Sequence, residues 1–432
     1  MDILFLCKTL PHEKVIGGPI LVYNRVRLLS RRHRVSLLCF VSEEERAYED
    51  TVARFCLDYR GVPMPGPRPA WRKARDFLFS PVPIYFLNAY SPDMYAALRE
   101  MAQRHRYDVV VSEYSAVAQY LFRNPDLAGV KRVMSVHECY YLARRKAWRV
   151  QRFSREGLSA LFNLKGLRRF EFAMYADADL VLTLTPEGKQ ELLDIRPDLR
   201  IEVVPHGVDV ERFCPSGECE REQAVMFLGN YPHDPNRDAV LWFHERIWPL
   251  VKEKLPGARF YVVGKDPTPD LLELARRDPS VVVTGTVDDV RPYFERSKVF
   301  VNPVRIGGGF RGKLLEAMSM GLPIVTTSLG AEGVEAREGA DMFVTDTPEE
   351  FAAAVVRLLC DDGLCEMLGE SARRLAEERF SWEKGVERLE RVLLDLVEGG
   401  RQTTGDPLSS ETIAVTAGIG KRKVSGSRKG CR

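Results

Sequence analysis

The segment GGGFRGKLLEAMSMGLPIVTTS, residues 307–328, sets Arg311, Lys313 and Glu316 directly behind a glycine triplet. Glycines, Gly308 and Gly309 among them, let a backbone approach a ligand closely. The spacing predicts a helix over 311–320, preceded by strand 298–304 and followed by strand 322–327. The first amides of such a helix lack intrahelical partners and carry the positive end of its dipole. Arg311 and Lys313 add full positive charge, which suits a phosphate or diphosphate. Glu316 follows Lys313 by one helical turn, on roughly the same face. A carboxylate there can accept hydrogen bonds from two sugar hydroxyls, and Gly321 fits the helix C-cap. The same residues also fit an ordinary α/β turn with a solvated Lys–Glu pair.

The beginning of the chain repeats this logic. Gly17-Gly18-Pro19 precedes a predicted helix over 19–32, and proline is favoured at a first helical position. Two such loops, one per domain, can face each other with a diphosphate between them. His137 ends a strand in SVHE, where it fits either a structural or a chemical role. Glu138 is the neighbour that can orient it, and equally a solvated acid.

These residues need elements to hold them. Strand ILFLC (3–7), a loop, helix 19–32 and strand RVSLLCF make a βαβ start, which predicts a parallel, doubly wound sheet. Further strands are expected at 108–114, 131–137, 179–185 and 201–207. The pattern restarts at 224–230, continues with an amphipathic helix over 238–255, and adds strands at 259–264 and 281–287. The chain therefore reads as two α/β halves. The expected domains are 1–205 and 223–379, with a polar linker at 206–222, an amphipathic helix at 380–399 and a tail at 400–432. Residues 418–432 contain six basic residues and no acidic one, so the tail reads as disordered.

Composition narrows the class. The 432 residues are 45% hydrophobic and 29% charged, as in ordinary globular chains, and a net charge of +2 gives no reason to expect nucleic acid. Nine cysteines show no CxxC pair, and no His/Cys pair follows Cys214 and Cys219, so no metal site is expected. No run approaches the roughly 18 apolar residues of a membrane span. A cytoplasmic place follows as the expectation. Residues 144–155, RRKAWRVQRFSR, hold six basic residues around Trp148 and Phe153, and WRKARDFLF (71–79) is similar in kind. Such a stretch is either a solvated helix face or a surface for the anionic inner leaflet of a membrane.

The run GGGFRGKLLEAMSMGLPIVTTSLGAEGV resembles the donor-binding segment of retaining glycosyltransferases of family 4. PHGVD (205–209) is similar to that family's interdomain hinge. FLGNYPHDPNRDAVLWFHERIWPLV resembles the opening of its second domain, and GTVDDVRPYFERSKVFVNPV its base-binding region. FSWEKGVERL resembles the helix that crosses back to the first domain. The resemblance covers about residues 1–398 and is weaker over 40–130. Within the family, the chain looks most like bacterial exopolysaccharide-associated sugar transferases.

The resemblance implies the GT-B fold, two Rossmann-like α/β domains facing across a cleft. It implies sugar transfer from a nucleotide diphosphate donor to a glycan or lipid-linked acceptor, with retention and with no metal or other cofactor. Glu316 matches the glutamate that holds the ribose, and His137 a histidine that contacts the donor sugar and supports the transition state, so the resemblance implies a catalytic role for both. A second family glutamate would stand at position 308, where this chain has Gly308. Asn230 stands where arginine is frequent, with Asn236 and Arg237 further along. Arg311 and Lys313, with Lys265 as a third, are then expected to supply the phosphate charge. A nucleotide-sugar epimerase, or a non-catalytic nucleotide-sugar-binding protein, fits the same residues.

Overall fold

Short apolar runs, buried on both faces, form two all-parallel sheets. The structure is a computed structural model. It describes residues 1–399 except 15–16, 70, 73–74, 77–79, 81, 151–154, 218–220, 308–309 and 311, and except the side chains of 147, 149–150 and 155–163. The tail 400–432 lies outside the described residues.

The first sheet contains β1 (Asp2–Cys7), β2 (Arg34–Val41), β3 (Tyr59–Pro63), β4 (Val109–Glu113), β5 (Lys131–Val136), β6 (Leu180–Thr183) and β7 (Ile201–Val203). Its order is β3-β2-β1-β4-β5-β6-β7. The second contains β8 (Glu222–Asn230), β9 (Arg259–Lys265), β10 (Val281–Val283), β11 (Ser297–Asn302), β12 (Ile324–Thr326) and β13 (Phe343–Val344), in the order β10-β9-β8-β11-β12-β13. In each sheet the strand order reverses beside the first strand, between β1 and β4 and between β8 and β11. Connections leave in opposite directions there, which opens a crevice at the carboxyl ends of the strands. Val225, Phe227 and Phe260 are fully buried in the second core, as are Ile3, Phe5 and Leu37 in the first.

Six helices matter for the site and its surroundings: α1 (Gly18–Leu29), α2 (Tyr140–Val150), α3 (Arg155–Asp177), α4 (Asp234–Trp242), α5 (Gly312–Ser319) and α6 (Trp382–Gly399). The predicted helix 238–255 forms, but it is not α-helical throughout. It starts as α4, passes through a π-helical turn at Phe243–Ile247 and resumes at Trp248–Lys254. Pro249 explains the π turn, because it has no amide to donate and its ring clashes with the preceding turn. β3 was not expected from the sequence; it runs along the sheet edge, where Gly61 and Pro63 are tolerated.

Helix α6 buries Trp382, Val386, Leu389, Leu393 and Leu396, spaced four and three residues apart in alternation. That stripe joins Leu21, Val22 and Val26 of α1 in the core of the first domain. The chain thus passes between the domains twice, and the two passages are zipped together. Val208 N–H donates to the Phe380 carbonyl at 2.8 Å, and Trp382 N–H to the Val208 carbonyl at 3.2 Å.

Candidate functional site

A cleft of about 820 Å³ lies between the two domains, within the size range of small-molecule sites. The carboxyl ends of strands from both sheets supply its walls. From the first domain come Gly17 and Gly18 at the head of α1, Tyr114 after β4 and His137 after β5. From the second come Asn230 at the end of β8, Lys265 at the end of β9, the Thr286–Asp288 stretch, and Lys313 and Glu316 of α5.

Gly17 has φ 73° and ψ −140°, a backbone that favours glycine, and turns the chain into α1. Gly18 makes the closest approach. A β-carbon there would stand 1.8 Å from the Tyr114 hydroxyl and 3.1 Å from His137 Nδ1. Tyr114 stacks on His137 with ring centroids 4.0 Å apart. It does so from a backbone φ of 78°, rare for a bulky residue and costing about 1–3 kcal/mol.

Behind these rings lies a buried charge system. Arg25 of α1 donates from one guanidinium nitrogen to both Glu113 oxygens, at 2.8 and 3.0 Å, and to Ser135 Oγ at 3.0 Å. Glu113 Oε2 also pairs with His137 Nε2 at 2.8 Å. Burial alone would raise the Glu113 carboxyl, but Arg25 and His137 outweigh it and bring it down to about 2. Glu138, the expected orienting acid, is exposed, and the contact it makes here is through its carbonyl, which accepts from Ser115 Oγ at 3.2 Å. Glu113 takes that place instead. The sequence reading missed Arg25, Glu113 and Tyr114. The signals were a lone acid in the apolar run VVVSE and a lone arginine among the buried positions of α1.

In the second domain the backbones themselves touch. A β-carbon on Gly264 would lie 1.9 Å from the Gly229 carbonyl oxygen, so β8 and β9 meet the cleft with bare backbone. Lys313 Nζ donates to Asn236 Oδ1 at 2.5 Å and lies 4.1 Å above the Phe227 ring. Asn236 Nδ2 donates to the Asn230 carbonyl at 2.8 Å, which ties the cation to the end of β8. Lys265 is exposed beside Asp266 at 3.8 Å. Arg237 is turned to Asp270 at 2.7 Å. Glu316 is half-buried on the cleft wall. Burial there lifts its carboxyl to about 7, against the opposing pull of Arg212 and Lys313.

Gly308, Gly309 and Arg311 lie outside the described residues. Phe310 between them is described, and its ring lies parallel to that of His206 in the hinge. His206 is buried, and burial holds it down to about 4 although the Gly207 and Gly17 backbones pull it upward. Arg212, also missed from sequence, lines the cleft beside this hinge.

In the first domain, the basic stretch is partly engaged. Arg144 lies 4.9 Å over Tyr85 and Arg145 5.7 Å over Tyr141, and Lys146 pairs with Glu191 at 2.7 Å. Glu171 of α3 accepts from the Tyr140 and Tyr141 amides at 3.0 and 2.8 Å and so fixes the start of α2. Trp71 is 61% exposed, with Arg72 and Arg75 at 5.3 and 5.8 Å from its ring. Phe153 and Arg152 lie outside the described residues. Among the described residues no helix is long and apolar enough to cross a membrane.

Residues 16–212 match the family described as Glycosyltransferase Family 4, and residues 222–361 match that described as Glycosyl transferases group 1. An uncharacterized 44.6 kDa protein in the cps region of Klebsiella pneumoniae is 22% identical over 80% of this chain and 88% of its own. The D-inositol 3-phosphate glycosyltransferase of Salinispora tropica is 28% identical over 55% of each chain. The UDP-Gal:alpha-D-GlcNAc-diphosphoundecaprenol alpha-1,3-galactosyltransferase of Escherichia coli is 23% identical over 46% of this chain and 55% of its own. These last two matches thus span about half of the relatives' length. Sucrose-phosphate synthase from Thermosynechococcus elongatus superposes with a TM-score of 0.69 at 16% identity, over 92% of this chain and 100% of that one. HepE from Anabaena, solved with UDP, gives 0.63 at 16% identity, over 91% and 99%. The fold is GT-B: two parallel-sheet Rossmann-like domains facing across a cleft.

Proposed function

Because the chain carries both of these glycosyltransferase domains, we propose that it moves a sugar from a nucleotide diphosphate donor to a glycan or lipid-linked acceptor, with retention and without a metal. The observation that carries this reading is the pairing of Lys313 and Glu316 on the cleft-facing side of α5. Across the same cleft stand the Gly17–Gly18 helix start and His137. The donor is supported by HepE, which was solved with UDP-glucose. The acceptor is supported by the Escherichia coli relative, whose name gives a diphosphoundecaprenol-linked sugar.

In this reading Glu316 accepts hydrogen bonds from the two ribose hydroxyls. Lys313, Asn230, the backbone of the glycine loop, and the amides at the head of α1 meet the diphosphate, with Lys265 and Arg311 as further cations. Fixed donors of this kind stabilise the leaving diphosphate as its charge grows. His137 contacts the donor sugar. The acceptor oxygen bonds to the anomeric carbon on the face from which the phosphate oxygen departs, and that phosphate takes the acceptor proton. The synthesis served is that of a polysaccharide or glycoconjugate. The basic stretch 144–155 holds the first domain against the anionic inner leaflet, where a lipid-linked acceptor resides.

The test is turnover of a panel of nucleotide diphosphate sugars with and without a sugar–diphosphate–lipid acceptor. Transfer product with retained anomeric configuration is expected only when donor and acceptor are both present. Acceptor-independent interconversion of the donor sugar would make the protein an epimerase, and donor binding without turnover would make it a binding protein.

A further inference from the structure

Three elements converge behind His137: Arg25 is 1% exposed on α1, Glu113 is fully buried at the end of β4, and His137 follows β5. Arg25 satisfies both Glu113 oxygens by itself, at 2.8 and 3.0 Å. Glu113 Oε2 nevertheless spends a further lone pair on His137 Nε2, at 2.8 Å. The opposite ring nitrogen, Nδ1, is the one beside Gly18 at the head of α1. Tyr114, the residue after Glu113, covers the face of the same ring from a strained backbone. One strand end therefore fixes the imidazole twice, by its edge through Glu113 and by its face through Tyr114.

We propose that Glu113 is the positioning residue of the site, holding the Nε2–H of His137 toward itself so that Nδ1 is the ring atom presented to the donor sugar. The assignment rests on the proposed role of His137. A purely structural Arg–Glu pair explains less: a buried ion pair is often no more stabilising than apolar side chains of the same volume. An imidazole's two nitrogens differ in role, and the partner of one decides what the other does.

Two measurements test it. In the full chain labelled with ¹⁵N-histidine, long-range ¹H–¹⁵N correlation reads which His137 nitrogen carries a proton, with His137→Asn identifying the signal. A protonated Nε2, perturbed in Glu113→Gln, is expected. A ring protonated at Nδ1 alone, or a signal indifferent to Glu113→Gln, overturns the proposal. In transfer assays, Glu113→Gln should lower kcat by about 10- to 100-fold, the scale known for partners that orient metal-binding histidines. The donor KM should change little. In a His137→Ala background the same substitution should cost nothing further; an equal cost in both backgrounds makes Glu113 structural. If Glu113→Gln fails to fold, Arg25→Met combined with Glu113→Gln removes both buried charges and is used in both measurements. A wild-type chain with no transferase activity would overturn the proposed function, whereas the imidazole spectrum tests Glu113 by itself.

Discussion

His206 lies flat against Phe310, with ring centroids 5.5 Å apart and planes within 6° of each other, while its Nδ1–H donates to the Gly207 carbonyl at 2.7 Å. Trp382 closes a third side at 5.0 Å. A ring so enclosed resists charge, and its native value of about 4 lies below the ordinary 6.5. Between those values the unfolded chain binds more protons than the native one. The stability this residue contributes is therefore complete above pH 6.5 and is lost as pH falls through 4. Urea unfolding across that window should show a loss approaching about 3 kcal/mol from this group, given 1.36 kcal/mol per pKa unit. His206→Asn should flatten that part of the profile.

Glu316 carries the opposite sign. Its native value of about 7 lies above the ordinary carboxyl value, so the native chain holds the extra proton between about 4.5 and 7. Its contribution is complete below pH 4.5 and is lost as pH rises through 7. A ligand whose hydroxyls bond to the carboxylate must expel that proton. Nucleotide binding at pH 6 should release about one proton, falling toward none above pH 8. Calorimetry in two buffers of different ionisation enthalpy measures it, and Glu316→Gln should abolish it.

Lys313 is expected to supply phosphate charge. Lys313→Met keeps the packing over Phe227 while removing the ammonium. Nucleotide diphosphate affinity should weaken by about 1.5–3 kcal/mol, the scale of a charge-assisted hydrogen bond. Unchanged affinity by calorimetry would move the charge to other residues.

Gly18→Ala isolates the contact between α1 and Tyr114. Alanine favours a helix over glycine by about 1 kcal/mol, so the helix itself should tolerate the change. The new methyl group would instead strike the Tyr114 hydroxyl and displace the ring from His137. Turnover should fall well beyond any change in melting temperature. Adding Tyr114→Phe removes the nearest clashing atom and should restore part of the activity.

The basic stretch makes a separate prediction. Each Lys or Arg near an anionic bilayer contributes about 1 kcal/mol, and salt screens it. A chain ending at residue 399 should sediment with anionic but not neutral liposomes, less so at high salt. Changing Arg144, Arg145 and Lys146 to Ser should weaken that binding. Indifference of the shortened chain to anionic liposomes would remove the membrane from the functional reading.

The sheet architecture was legible because its signals are local. Apolar runs such as ILFLC and AVMFL, each followed by glycine and then a helix, predict parallel strands wherever they recur. β13 was not legible, since two half-buried residues carry no periodicity. The site was legible only in its local half. Lys313 and Glu316 lie one turn apart, and Gly17 and Gly18 are adjacent, so spacing alone suggests them. Arg25 and Glu113 are 88 residues apart and meet only because β4 pairs with β1, the strand that leads into α1. Nearness in sequence misled at Glu138, which leaves β5 into an irregular stretch and is exposed there, while Glu113 reaches His137 from the neighbouring strand.

The zipped double passage between the domains reaches beyond the site. The first domain is not one continuous stretch of chain, because Trp382, Val386, Leu389 and Leu393 complete its interior from the far end. A polypeptide emerging from its N-terminus must hold Leu21, Val22 and Val26 uncovered until some 360 further residues have been made. The domain that begins first is thus finished last. Cutting the chain between the sheets would leave an N-terminal piece with an open apolar face, and a C-terminal piece carrying the strip that was meant to cover it.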